Sequence, residues 1–384
     1  MTTVFVTDGQ LRSALAAVRS LGRRDVTVVC GESTRFATAF ASKYVDRTVV
    51  YPSPEEEPMS FIRFLHRFLD RHEIDVLMPI GHEATRLVNH HAETLSDHTA
   101  VPVAGRKKFD ALVQKDAVMR RAARLGVPHP KTVFPSDVGD AVSQIDGLEF
   151  PVVIKPRDSS GSRGLRFIES PAAFRAAYAE VHGKYPRPLV QERIPVEGRG
   201  MGGAFLIWDG EVKAQFAYQR LREYPPNGGP STLRESVHNE TILEAGRKLL
   251  LDADWEGVAM VEFKNDLRTD TPQLMEINPR FWGSLHLPYY SGIDFPWLLM
   301  QCALGKPLEA TLDYQTGTQC RYLLPGDLLY LARTQNVQDF FPLQAENLYY
   351  DIADSDDPLP IIGRLAAMAR YSFDIDMWKK VILR

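Results

Sequence analysis

With 384 residues the chain is long enough for about two or three packed units, and 44% hydrophobic, 24% charged and 10% aromatic residues are ordinary globular values. A net charge of −4 argues against a general nucleic-acid or membrane-surface binder, and three scattered cysteines (Cys30, Cys302, Cys320) against a disulfide framework or cysteine-built zinc site. No basic-then-apolar leader opens the sequence and no apolar run approaches about 18 residues, so a cytoplasmic chain that is neither exported nor membrane-spanning is expected.

The first hundred or so residues alternate strand and helix patterns. Val4–Val6 is a strand-like run, Gln10–Leu21 a helical stretch closed by Gly22, and Val26–Val29 and Val49–Tyr51 are further strands. Met59–His72 has helical spacing in Phe61, Leu65, Phe68 and Leu69; Ile74–Ile80 reads as a strand, Ala84–Leu95 as a helix, and Val101–Ala104 as a strand. Such alternation predicts a parallel, doubly wound sheet. A helix over Lys107–Leu125 ends at Gly126, with Pro128 and Pro130 beyond it. From Thr132 to Glu192 short strands, a glycine-rich turn and a helix (Pro171–His182) suggest a small α+β unit. Ala204–Asn278 carries an antiparallel signature, with a hairpin signal at Asp209-Gly210. Residues 310–384 form a last segment with an acidic patch from Asp351 to Asp357.

Three stretches bear on chemistry. In Pro151-Val-Val-Ile-Lys155-Pro156, a strand ends in lysine and leads into a Ser/Gly turn, Ser159-Ser160-Gly161-Ser162-Arg163-Gly164. Small residues let backbone N–H groups approach phosphate oxygens, and the lysine supplies a fixed charge; the bland alternative is an exposed hairpin. In Gly257–Lys264 and Gln273–Arg280, period-two alternation projects Glu276 and Asn278 together, with Met275 and Ile277 towards the core and Glu262 on a neighbouring strand. Two carboxylates and an amide oxygen suit magnesium shared with phosphate; a solvated polar strand face is the alternative. In Leu189–Gly198, a strand stops at Pro195 and frees backbone groups that adenine could use, although Glu-Arg pairs at strand ends are usually surface charges.

Together, in this order, the stretches resemble the ATP-grasp superfamily over roughly residues 1–305. The resemblance implies a Rossmann-like domain (1–110), a small α+β lid (111–195), a larger antiparallel-sheet α+β domain (196–309) and an extension (310–384), with ATP between the middle two. By matching motif, Lys155 resembles the lid lysine on the α-phosphate, Lys115 an earlier nucleotide lysine, and Ser159–Gly164 the phosphate-covering loop. Gln191, Glu192 and Ile194 resemble the adenine hinge, with Glu192 or Glu197 as the ribose acid, a choice that spacing does not decide. Glu262, Glu276 and Asn278 resemble the ligands of Mg2+ (or Mn2+), and Arg280 the arginine that steadies the transferring phosphoryl group.

The stretch Arg220-Leu-Arg222-Glu-Tyr-Pro-Pro-Asn-Gly-Gly-Pro-Ser231-Thr232-Leu-Arg234 reads as a rigid Pro/Gly loop whose arginines could grip a carboxylate. It resembles a loop in one branch of carboxylate–amine ligases; a surface loop pairing with its own glutamates is the alternative. The implied reaction makes an acyl phosphate, then an amide, from small-molecule partners such as amino acids. A carboxylase-type acceptor ranks lower without a biotin-carrier segment, and a nucleotide-binding regulator without turnover lower again. Gly198-Arg-Gly200-Met-Gly-Gly203 matches G-x-G-x-x-G but precedes a strand pattern, so it is set aside, and no P-loop is present. His82-Glu83 lacks the second histidine of a zinc-protease motif. Residues 310–384 remain open between extending the substrate pocket, mediating a homodimer and bracing the fold.

Overall fold

The computed structural model describes residues 1–158, 164–226 and 228–372. The first unit runs β1 (Thr3–Val6), α1 (Arg12–Gly22), β2 (Thr27–Glu32), β3 (Arg47–Val50), α2 (Pro58–Arg71), β4 (Val76–Met78), α3 (His82–His90) and α4 (Ala92–Leu95). Its sheet, in the order β3-β2-β1-β4, is parallel throughout, as the alternating pattern predicts. The expected strand at Val101–Ala104 is absent: Pro102 removes a ladder donor, and a single bridge, Val76 to Ala100, remains.

The expected helix over Lys107–Leu125 is two helices, α5 (Arg106–Val113) and α6 (Lys115–Leu125), broken where Gln114 turns extended. The break puts Lys115 at the first turn of α6, with its N–H on the Arg157 carbonyl at 2.9 Å. Gly126 closes α6 in the left-handed conformation at φ 66°. Beyond it lie β5 (Thr132–Val133), α7 (Val138–Gln144), β6 (Val152–Lys155), β7 (Arg166–Ile168), α8 (Pro171–Lys184) and β8 (Leu189–Glu192). These build an antiparallel sheet ordered β5-β8-β6-β7. Val152 and Ile154 pack with Phe174 and Tyr178 of α8, so strand alternation sends Val153 and Lys155 to the opposite face.

The third unit comprises β9 (Gly200–Trp208), β10 (Glu211–Glu223), β11 (Ser231–Ser236), α9 (Glu240–Asp252), β12 (Gly257–Asp266), β13 (Thr271–Asn278), α10 (His286–Tyr290) and α11 (Phe295–Ala303). It continues through β14 (Gln319–Arg321), α12 (Leu328–Thr334), β15 (Leu348–Tyr350) and α13 (Pro360–Ser372). Its seven-stranded sheet runs β13-β12-β9-β10-β11-β14-β15, antiparallel except for the β14–β15 pair. Alternation along the strands divides the core. Ala204, Leu206, Phe216 and Met260 pack towards α1, α11 and Trp282, while Phe205, Ile207, Val261 and Phe263 pack towards α6 and α9. Asp209 and Gly210, with φ of 53° and 73°, make the β9–β10 turn.

Residues beyond 309 thus add two strands to the large sheet, and their acidic patch grips the first unit. Asp357 meets Arg19 at 2.9 Å and Ser42 at 2.7 Å, Asp354 meets Arg23 at 2.6 Å, and Asp356 meets Lys43 at 2.6 Å. The three cysteines are buried and free. Among the described residues no helix is long and apolar enough to cross a membrane.

Candidate active site

The centre of the cleft is built on β12 and β13. Glu262 and Glu276 are direct cross-strand partners, and a register shift follows at Phe263, which pairs with Leu274. That bulge corrects one expectation: Leu274 and Ile277 fill the core, while Met275 is only half-buried. Asn278 Nδ2 reaches Glu262 Oε1 at 3.2 Å and Glu276 Oε1 at 3.4 Å. Arg280, in the turn after β13, donates to Asn278 Oδ1 and to the Phe281 carbonyl, each at 2.7 Å.

Cations surround the two carboxylates. Arg220 Nη2 lies 2.7 Å from Glu262, and Lys115 Nζ 3.4 Å from Glu276. Burial and the neighbouring Glu276 raise the Glu262 carboxyl, against the opposing pull of Arg220. Burial also works to raise Glu276, but Lys115, Lys155 and Arg280 outweigh it and hold that group low. Two carboxylates in register on adjacent strands are bridged by the Asn278 amide nitrogen, and with the Asn278 Oδ1 that now accepts from Arg280 they supply hard oxygens that could hold a divalent cation.

Lys155 faces this cluster from β6. Its Nζ donates to Gln191 Oε1 at 2.6 Å, and Gln191 is fixed in turn by Thr132 Oγ1 at 2.9 Å. Burial lowers the Lys155 ammonium to about 8, with Lys115 adding to the effect and Glu276 opposing it. Lysine binds phosphate only as the cation. Nucleotide affinity is therefore expected to hold below about pH 8 and to fall above it, by up to about tenfold per unit for one linked proton. Lys155→Arg should flatten that dependence, since guanidinium stays charged. Calorimetry in buffers of different ionisation enthalpy would check both points; a wild-type affinity constant to pH 9.5 would overturn them.

The residues expected to form the adenine hinge lie at the end of β8 and just beyond it. Ile194 is buried, Glu192 accepts the Glu149 N–H at 3.0 Å, and Glu197 is exposed. Ser159, Ser160, Gly161 and Ser162 lie outside the described residues. Gly164, at φ 76°, sits where a Cβ would stand 2.7 Å from the Tyr185 ring. The glycine-rich stretch set aside as a dinucleotide motif continues into β9, and its first glycine has a steric cause. A Cβ on Gly198 would stand 1.9 Å from the Asn265 carbonyl oxygen.

The stretch expected to be a rigid loop is mostly hairpin, with β10 and β11 joined through residues 224–230. A bulge between Arg220 and Arg222 aims them differently. Arg220 turns to Glu262, while Arg222 donates to the Asp339 carbonyl at 2.5 Å. Arg234 is fully buried against Asp351, and so is not brought to the cleft. Ser231 Oγ bonds the Leu233 carbonyl at 3.1 Å, and Thr232 is buried with Oγ1 unpartnered.

Two residues with no assigned role in the sequence reading face the same cleft from the first unit. Asp8, at φ 60° after β1, accepts the Gly81 N–H at 2.6 Å. Burial, then Glu32, raise it to about 6, and its charge acts on Arg280. His82, opening α3, is lowered to about 4 by burial and then by Arg280. Both follow strands that flank the point where the parallel sheet reverses order, which is where such sheets place ligands. That position is the signal that could have found them.

Comparison with known proteins agrees with this layout. Residues 206–324 match the family described as ATP-grasp in the biosynthetic pathway with Ter operon. D-aspartate ligase of Enterococcus faecium is 24% identical over 286 residues, covering 68% of this chain and 67% of that enzyme. Biotin carboxylase of Campylobacter jejuni superposes with a TM-score of 0.71 at 16% identity, over 83% of this chain and 74% of that one. L-amino acid ligase of Bacillus licheniformis gives 0.61 at 16% identity, over 80% and 75%. Of several other relatives, carboxylases among them, the chain spans well under two-thirds. In fold the chain is similar to enzymes of the ATP-grasp superfamily, and the family match falls on the large-sheet unit that carries the cleft.

Proposed function

We propose that the chain is an ATP-dependent ligase that activates a carboxylate as its acyl phosphate and joins it to an amine, releasing ADP and phosphate. The observation that carries this reading is the Glu262, Glu276, Asn278 and Arg280 unit facing Lys155 and Lys115 across one cleft. The likeness to D-aspartate ligase and L-amino acid ligase supports amino acids as the substrate class.

In this reading Lys155 and Lys115 hold the inner phosphates, and adenine pairs with backbone around Gln191–Ile194. Glu192 already bonds the Glu149 N–H, so Glu197 is the better placed acid for ribose. Glu262, Glu276 and Asn278 would hold magnesium, which when bound supplies charge neutralisation on the phosphates. Arg280 steadies the transferring group, braced by Asn278 and the Phe281 carbonyl. Arg220 orients Glu262 and favours its ionised form against the opposing effect of burial. Asp8, held near neutrality, takes the proton that the amine releases on attack.

Each amide bond formed should release one ADP and one orthophosphate. Hydroxylamine should trap the acid as a hydroxamate when acid and ATP are both present. AMP and pyrophosphate appearing in step with product would overturn the mechanism, because the carboxylate would then have attacked the α-phosphorus.

A further inference from the structure

α13 carries a cation with no counter-ion among the described residues to the ligand-binding edge of the first unit. A Cβ on Gly363 would stand 3.1 Å from the Thr38 carbonyl oxygen, so the helix lies directly on this edge. The next residue, Arg364, reaches the Gln10 carbonyl at 3.4 Å. Gln10 follows β1, and its N–H bonds Glu32 at the end of β2 at 3.0 Å. These are the carboxyl ends of the parallel strands, where open α/β sheets hold ligands.

Arg364 is 8% exposed, its Nε has no partner, and no described carboxylate lies within ion-pair range of it. The nearby anions are taken: Glu32 by Gln10 and Ser33, Asp351 by Arg12 and Arg234. Arg12 and Arg364 both lie over the Tyr322 ring, at 4.1 and 5.8 Å, yet of the two only Arg12 has a carboxylate. Thr232, whose carbonyl accepts the Tyr322 N–H at 2.7 Å, adds a buried hydroxyl with no described partner. The Gln10 carbonyl and the Tyr322 ring hold the guanidinium in place without neutralising it, and a buried cation without an anion is costly.

We infer that Arg364 anchors a substrate carboxylate, distinct from the one that is activated, at the carboxyl edge of the first sheet. This names a specificity group for the site and so rests on the ligase reading for its place in a reaction; the anion site itself does not. The loop that presents Gln10 to Arg364 also carries Asp8, whose charge acts on Arg280. A substrate held by Arg364 is therefore anchored beside the loop that faces the reacting groups. Its carboxylate could belong to the amine partner or to a dicarboxylic acid.

Malonate titrated calorimetrically into the full chain, with magnesium and an unhydrolysable ATP analogue filling the phosphate site, tests the anion site without any turnover. Wild type should bind malonate, and Arg364→Gln should weaken binding at least tenfold. The melting temperature of Arg364→Gln without ligand should be unchanged or higher, because an uncompensated buried charge has been removed. No malonate binding by wild type, equal binding by both proteins, or a melting temperature several degrees lower in the variant would each overturn the assignment. With a turnover pair in hand, Arg364→Gln should raise KM for the partner bearing the second carboxylate and leave KM for ATP unchanged. The primary-amide analogue of that partner should be used equally by both proteins, which tells the amine source from the acid source.

Discussion

Glu276→Gln is expected to lower ligase turnover about a thousandfold, or about 4 kcal/mol of transition-state stabilisation, while the fold stays intact. The side chain is 30% exposed at the cleft, so losing its charge removes little packing. It does remove the anion that pairs with Lys115 and feels the charges of Lys155 and Arg280. Nucleotide phosphates supply negative charge to the same cations, so binding without magnesium should survive or tighten while the chemical step fails. The magnesium concentration needed for residual activity should rise, since one of the two anionic ligands becomes a neutral amide. Turnover within a few-fold of wild type at low magnesium would remove Glu276 from the metal set.

Asp351→Asn is expected to cost about 3–5 kcal/mol of stability although the residue lies outside the catalytic cluster. Asp351 is fully buried and neutralises two guanidiniums, Arg12 and Arg234, each at 2.8 Å. His286 Nδ1 stands 3.6 Å away, and burial lowers that imidazole to about 3, so it brings no charge at neutral pH. Asparagine keeps the shape but leaves two buried cations uncompensated. Burial alone would raise the Asp351 carboxyl, but Arg234 and Arg12 hold it well below its usual range. A depressed carboxyl contributes stability that is complete above its unfolded value of about 4 and is lost as pH falls through its folded one. Wild type should therefore lose this increment in acid, and the variant should show a flatter acid limb. Urea titrations at pH 7 and pH 3 would check it; equal midpoints for the two proteins at pH 7 would overturn it.

Much of this architecture was legible because it depends on local pattern. Alternating strands and helices signalled the parallel sheet, Gly126 the end of α6, and Asp209-Gly210 the hairpin. Glu276 and Asn278 were read onto one strand face from period two alone, and the structure brings Glu262 and Arg280 to them. Where the reading failed, something other than local pattern decided the outcome. A bulge gave Met275 and Leu274 roles that strict alternation would exchange. A second bulge separated Arg220 from Arg222, and Arg234 went to a carboxylate 117 residues away. The role of the acidic patch, open in the sequence, was decided when α1 placed Arg19 and the adjoining Arg23 against it.

By itself the sequence determined the period of each segment, the turn chemistry between segments, and which residue types could carry phosphate and metal chemistry. Those follow from backbone sterics and side-chain donors within a few residues of one another. Tertiary structure alone decided which charges are compensated. Ionisation and pairing depend on burial and on partners far outside the local segment, and these set Lys155 near 8 and Asp8 near 6, and leave Arg364 without an anion among the described residues.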